Sequence, residues 1–309
     1  MADEKRNSKK VLGASLLKAA EKYPELVLVS ADSGPNSGFG DFIRQYPERF
    51  YEFGIMEQGV MGVASGMATT GLMPVFCAPA PFVTGRPYEM FRIDVGYMHQ
   101  NVKIIGRNAG FSYSDLGPTH YGLDDIALVR MIPDVVILAP QFADELEAAF
   151  DAMLRYKGPV YMRVHNSALP VRGNSVPFEI GKGSILSEGN DLAVITTGNL
   201  TQNVLEALPI MAAKGVRPLV IGMPTIRPID EELVRRAAAA GRIMTVEEHF
   251  ADGGLGTIVS DFCAKECPVP VKKLGVPNLY ATSGDYGEMA HFYGLDAEGI
   301  AASAAEFLA

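Results

Sequence analysis

Short runs of β-branched and other apolar residues recur along the first half of the chain, at residues 26–30 (LVLVS), 74–76 (PVF), 102–106 (VKIIG), 135–140 (VVILAP) and 160–164 (VYMRV). They do not alternate apolar with polar, which marks strands buried on both faces, and such strands belong to a parallel sheet covered by helices. Helical patterns fill the intervals. Phe142, Leu146, Ala149, Phe150 and Met153 repeat at helical spacing within 141–156, and Leu12, Leu16, Leu17, Ala20 and Tyr23 share one face near the start of the chain. The same alternation resumes at 192–198, 218–222, 242–249 and 271–276. The fold class is therefore α/β, with two domains, each a largely parallel sheet flanked by helices.

Between the two halves, LPVRGNSVPFEIGKGSILSEGN is rich in turn formers and poor in helical periodicity. It reads as a crossing, giving one domain over 1–170, a linker over 171–190 and a second domain over 191–309. Acidic residues outnumber basic ones, with a formal net charge of −9 and both signs interspersed. A nucleic-acid partner would need a basic face, so none is expected. Three cysteines, Cys77, Cys263 and Cys267, do not make a disulfide framework and fit a reducing, cytoplasmic location. The Cys263/Cys267 pair has no further soft ligand nearby in sequence, so no metal site is expected in this chain. The apolar stretch after the charged N-terminus is interrupted by Lys18, Glu21 and Lys22, unlike a signal peptide, and no segment is long enough to span a membrane. Phosphate-loop, dinucleotide-fingerprint and nucleophile-elbow motifs are all missing.

The most informative segment is FGIMEQGVMGVASGMATTG, residues 53–71. It reads as a helix with Gly59, Gly62 and Gly66 on one stripe, each costing about 1 kcal/mol relative to alanine. That cost implies close approach of another backbone, either a helix of the same domain or a second subunit. Glu57 lies near the start of this helix beside Phe53, Ile55 and Met56. A carboxyl group in apolar surroundings holds its proton toward neutral pH, as a proton donor to a heterocycle requires. The competing reading is an acid favourably placed in a helix first turn. A third segment, SDLGPTHYGLDD at 114–125, is a Gly/Pro loop carrying His120 that leads into a helix starting near Asp124. Loops at the carboxyl ends of parallel strands line ligand crevices, so His120 is a site candidate, with a histidine bonded to its own loop as the alternative.

In combination, GIMEQGVMGVASGMA, LGPTH, PIDEELVRRAA and TVEEHFADGGLG, in that order over nearly the whole chain, resemble the transketolase family, in its pyrimidine-binding and C-terminal domains. The resemblance implies thiamine diphosphate and Mg2+ as cofactors. The family's pyrophosphate-binding domain carries GDG followed by an Asn, which holds the metal and the diphosphate, and no GDG occurs here. The chain thus looks like one half of a split enzyme. A separate subunit bearing GDG and the Asn would complete it, with the metal ligands on that partner, in a heterotetramer of two copies of each chain.

By the same resemblance, the glycine-striped helix serves self-association, since the cofactor of these enzymes lies across a subunit interface. Glu57 matches the glutamate that hydrogen-bonds the aminopyrimidine ring nitrogen, and Phe82 matches an aromatic packed on that ring. His120 matches the GPTH histidine near the cofactor amino group and the substrate. Asn108, Asp115, Leu116 and His120 fall where small sugar or sugar-derived substrates bind. Departures bear on which sugar. Leu116 stands where an aspartate contacts a sugar hydroxyl, Asn108 where a histidine is usual, and Asn166 where an arginine grips the sugar phosphate. Asparagine cannot replace that planar charge, so a standard pentose phosphate is not expected unless Arg86, Arg107 or Arg163 compensates. The implied reaction is transfer of a two-carbon ketol unit from a ketose to an aldehyde. The beta subunit of a 2-oxo acid dehydrogenase, a deoxyxylulose-type synthase and a non-catalytic scaffold subunit are the alternatives.

Overall fold

The computed structural model describes residues 4–173 and 178–309, which fall into two units. The first comprises the chain up to Ala109 together with Leu128–Ile180; the second comprises Gly110–Ala127 and Gly181–Ala309.

In the first unit the strands of the parallel sheet are β1 (Leu26–Ser30), β2 (Phe50–Glu52), β3 (Met73–Pro79), β4 (Lys103–Arg107), β5 (Val136–Leu138) and β6 (Val160–Val164). They lie side by side in the order β5-β6-β4-β3-β1-β2, every pairing parallel. All residues of β1, β3, β4, β5 and β6 are buried, as non-alternating runs require. Helices α1 (Ser8–Lys22), α2 (Glu57–Thr69) and α3 (Ala143–Arg155) belong to this unit. Leu12 and Leu16 of α1 join Leu146, Phe150 and Met153 of α3 in one core with Leu26, Val75 and Met162 of the sheet. The edge strand β2, half-buried to exposed along its length, carried no buried run that would announce it.

In the second unit a five-stranded sheet holds β7 (Ser184–Ser187), β8 (Ala193–Thr196), β9 (Leu219–Gly222), β10 (Ile243–Phe250) and β11 (Val271–Val276). Their order is β11-β10-β8-β9-β7, parallel except for β7, which runs antiparallel to β9 at the edge. Both sheets are thus largely parallel and carry helices, the two-domain α/β class read from the sequence. Helix α4 (Leu255–Glu266) follows β10.

Two parts of the chain sit differently from the sequence reading. Of the stretch assigned to a linker at 171–190, residues 174–177 lie outside the described residues, and Ser184–Ser187 is a strand, β7. Its four residues are all half-buried, the pattern of an edge strand rather than a central one. Residues 110–127, placed by sequence order in the 1–170 domain, fold with the second unit. The cause is apolar: Phe111, Tyr121 and Leu123 are buried in the same core as Leu192, Val220 and Val246.

The glycine-striped helix is shorter than 53–71. It starts at Glu57 because Gly54 takes a φ of +70°, which no right-handed helix accommodates, and it stops at Thr69, two residues before Gly71 with a φ of +91°. Among the described residues nothing crowds most of the stripe. A Cβ on Gly66 would meet no atom within 4 Å, and one on Gly62 would come no nearer than 3.6 Å to Asp94. A helical segment of the same domain, Phe91–Tyr97, lies in ordinary contact range of Gly62 through Asp94 and bonds Ser65, so the same-domain explanation holds at that position, while Gly66 is open.

Candidate active site

In the first unit the structure brings Glu57 and Phe82 together around a third residue. Glu57 is the first residue of α2, and its side chain is 6% exposed. Ile55 and Met56 do not shelter it. They precede the helix and are largely exposed, at 74% and 46%, so the wholly apolar surroundings inferred from the sequence are not what this carboxylate meets. Its Oε1 accepts a hydrogen bond of 2.7 Å from Nη1 of Arg86. Arg86 follows the helical turn Ala80–Thr84 that leaves β3, and its guanidinium lies 3.8 Å over the ring of Phe82. Gln58, the next residue of α2, donates from Nε2 to the Arg86 carbonyl at 3.1 Å and ties this turn to the helix. A charge-assisted bond and a cation over an aromatic face thus meet on one guanidinium. The charge of Glu57 also complements the N-terminal dipole of α2, as an acid in a helix first turn does. Arg86 entered the sequence reading as a candidate phosphate contact. Its link to Glu57 spans 29 residues and depends on the turn after β3, so no local pattern announced it.

Asn108 follows β4 in the same unit. It is buried, in the left-handed region with a φ of +54°, and accepts a 2.9 Å bond from Nη1 of Arg107. Asn108 and Asn166, two positions at which the sequence departs from sugar-phosphate enzymes, line one small cavity with Arg107, His165 and Lys9. Arg163 is also buried.

The other candidates lie on the loop that folds with the second unit. Asp115 and Leu116 are exposed, Leu116 at 49%. His120 is half-buried. Its Nδ1 lies 2.9 Å from the Thr119 hydroxyl, its backbone N–H donates to the Gly117 carbonyl at 3.0 Å, and its ring meets Tyr113 edge-on at 5.7 Å. The helix after the loop begins at Asp125; burial, with the neighbouring Asp125 second, raises the pKa of Asp124. His249 is fully buried within the second unit.

Comparison with known proteins decides the family. The transketolase pyrimidine-binding domain matches residues 4–172, and the transketolase C-terminal domain matches residues 181–300. The chain belongs to the transketolase family. It is 36% identical, over 100% of its own length and 99% of the relative's, to a subunit of an apulose-4-phosphate transketolase from Phocaeicola vulgatus. It is 31% identical to 6-deoxy-6-sulfo-D-fructose transketolase subunit SqwH of Clostridium sp. (strain MSTE9), covering 94% of this chain and 91% of that one. Among solved structures it superposes with a TM-score of 0.88, at 33% identity and 98% coverage of both chains, on a split-gene transketolase described as an inactive beta4 tetramer.

Transketolase-family domains imply thiamine diphosphate, and the residues present fit its pyrimidine end. An aminopyrimidine is planar, with ring nitrogens that accept hydrogen bonds. Arg86 already sets a planar group between Glu57 and the Phe82 face; a ring nitrogen there would instead take its hydrogen bond from Glu57, which would carry the proton. The Arg86 side chain is 46% exposed and has room to swing aside. Among the described residues no group of three or more His, Cys, Asp and Glu side chains could hold a metal ion, and no helix is long and apolar enough to cross a membrane.

Proposed function

We propose that this chain is the pyrimidine-binding and C-terminal half of a split transketolase, active with a separate subunit that supplies the GDG…Asn diphosphate site and its Mg2+. The observation that carries the reading is the Glu57–Arg86–Phe82 group at the start of α2, a place shaped for a planar, hydrogen-bonding ring. End-to-end similarity to proteins named as transketolase subunits supports it. Bound thiamine diphosphate supplies the electron sink for breaking the carbon–carbon bond beside a ketose carbonyl. This chain's residues orient and protonate. Phe82 stacks on the pyrimidine, Glu57 holds a hydrogen bond at its ring nitrogen, and His120 serves the substrate end as hydrogen-bond partner and proton carrier. Asn108, Asp115 and Leu116 contribute to substrate selection. The substrate is a small ketose or ketose derivative outside the standard pentose phosphates, because Asn108 and Asn166 stand, by the family resemblance, where its histidine and arginine would be.

The test is reconstitution. The chain, co-purified with a partner bearing GDG and a downstream Asn, is assayed with thiamine diphosphate and Mg2+ against a panel of ketoses with an aldehyde acceptor, and separately against pyruvate. Ketol transfer from a ketose supports the reading. Turnover of pyruvate alone would make the chain a 2-oxo acid enzyme subunit, and no turnover of either would leave a scaffold.

Self-association through the face around α2 belongs to the same proposal. That face holds the open Gly66, and exposed Ile55 and Met56 precede it. The beta4 tetramer of the similar split-gene transketolase supports it. Light scattering on the chain alone should give an oligomer. Gly66→Leu, whose Cβ would meet no atom within 4 Å, should leave the chain folded and weaken that oligomer at least tenfold, about 1.4 kcal/mol. An unchanged mass with Gly66→Leu would place the interface elsewhere.

A further inference from the structure

The motif TVEEHFADGGLG has no catalytic role in the proposed function, yet four consecutive residues of β10 spend their polar groups in an ordered way. Glu247 accepts from the backbone N–H groups of Leu255 and Gly256, both at 2.7 Å, and so caps the start of α4. The next three all hold the 110–127 loop. Glu248 Oε1 accepts from Phe111 N at 2.6 Å, Nε2 of His249 accepts from Ala127 N at 3.3 Å, and Phe250 N donates to Leu123 O at 2.8 Å. With Nε2 accepting, Nδ1 of His249 carries the proton and donates to the Phe250 carbonyl at 2.8 Å. One strand thus grips both ends of the loop that bears His120.

Further contacts fix the grip itself. The other oxygen of Glu248, Oε2, accepts from the Tyr286 hydroxyl at 3.0 Å, and that hydroxyl accepts from Nδ2 of Asn199 at 2.9 Å. Tyr121 OH lies 2.8 Å from the Ser114 carbonyl and 2.9 Å from that of Thr282, and Phe111 stacks on Tyr293 with centroids 5.5 Å apart. The glycines of both segments answer to the same closeness. A Cβ on Gly110 would fall 2.1 Å from Glu248 Oε1, and one on Gly253 would fall 2.6 Å from the Ala127 Cβ.

We propose that Glu248 is a positioning residue for the reaction, acting through the Phe111 amide to hold the 110–127 loop in the one arrangement in which His120 works, and that this grip is what the C-terminal domain contributes to turnover. A buried carboxylate holding two donors from different segments is rigid in a way that loop contacts with solvent are not. The inference rests on the proposed function, since it needs His120 to act.

The test compares Glu248→Ala, Glu248→Gln and Tyr286→Phe in the full chain, alone and assembled with its partner. Hydrogen exchange across 110–127 reads the grip without needing activity. Turnover is read with hydroxypyruvate as ketol donor and glycolaldehyde as acceptor. Glu248→Ala should speed exchange of the Phe111 amide at least tenfold and lower kcat at least tenfold, with KM moving less than threefold. Glu248→Gln keeps an oxygen for Phe111 N–H and should restore kcat to within about threefold of the parent. If Glu248→Ala does not fold, Tyr286→Phe decides, with faster loop exchange and a kcat lowered about threefold. Faster exchange with an unaltered kcat, or a Gln variant as poor as the Ala one, overturns the positioning role and leaves the proposed function standing. A fully active His120→Ala removes His120 from the reaction and so overturns the positioning role too, whereas no ketol transfer by the assembled parent overturns the proposed function; the exchange result reports on the grip in either case.

Discussion

Glu57→Ala in the assembled enzyme should lower kcat at least a hundredfold while melting temperature and assembly stay close to those of the parent. The size follows from the role: a positioned group that sets the protonation of a reacting partner contributes about 10²–10⁴-fold. Preservation of the fold follows from the surroundings. Glu57 opens α2 rather than filling a core position, and its partner Arg86 has a side chain 46% exposed, so the released guanidinium turns to water instead of remaining a buried unpaired charge. Glu57→Gln sharpens the test. It keeps an acceptor for Arg86 but cannot give up or take a proton, so it should be nearly as slow as the alanine variant. Turnover above half the parental value in either variant, with the complex intact, would remove Glu57 from the chemistry.

What the sequence disclosed, and what it did not, follows from the range of the interactions involved. Strands such as Leu26–Ser30 and Val160–Val164 were legible because every residue in them is buried, so a local run of apolar side chains suffices to define them. The helix Ala143–Arg155 was legible because Leu146, Phe150 and Met153 face one core at helical spacing. Phe50–Glu52 and Ser184–Ser187 escaped notice, since edge strands bury little and need no apolar run. The glycine stripe could be seen but not interpreted. Sequence marks a close approach without saying what approaches, and the structure shows only that the chain's own atoms leave Gly66 open. At the site, Glu57 and His120 stood out through motif and loop position. The Arg86 bond to Glu57 and the Glu248 bond to Phe111, the latter across 137 residues, were invisible because each is made by tertiary folding alone. That 110–127 packs with the second unit, though it lies within the 4–172 match to the pyrimidine-binding domain, was invisible for the same reason, as Phe111 and Tyr121 choose their core by contact rather than by order in the chain.

The first unit also holds two buried ionisable groups whose pH effects oppose each other, and one of them yields the second large effect. Glu145, in the first turn of α3, is pushed up to about 7 by burial, against the backbone N–H of Gln141, which donates to its Oε2 at 2.6 Å and favours the charged form. Lys103 in β4 is pushed down to about 7, again by burial first and by the neighbouring Lys157 second, and its Nζ donates to the carbonyls of Tyr156 and Gly158 at 2.7 and 2.8 Å. For Glu145 the folded state binds the proton more tightly than the unfolded state, so its contribution to stability is complete below the unfolded value near 4.5 and is lost as pH rises through about 7. For Lys103 the unfolded state binds the proton more tightly, and stability rises with pH from about 7 toward 10.5. Replacing Glu145 with glutamine keeps an acceptor for Gln141 N and removes the falling limb. Glu145→Gln should therefore match the parent near pH 4 and exceed it by up to about 3 kcal/mol at pH 8, the equivalent of the upward shift. Urea unfolding from pH 4 to 8, with hydrogen exchange of α3 to localise the change to the first unit, measures it. A difference between variant and parent that does not grow with pH would mean that Glu145 titrates alike in the folded and unfolded chain. The rising limb above pH 7 would then rest on Lys103 alone, whose neutral amine still has two N–H groups for its two carbonyls.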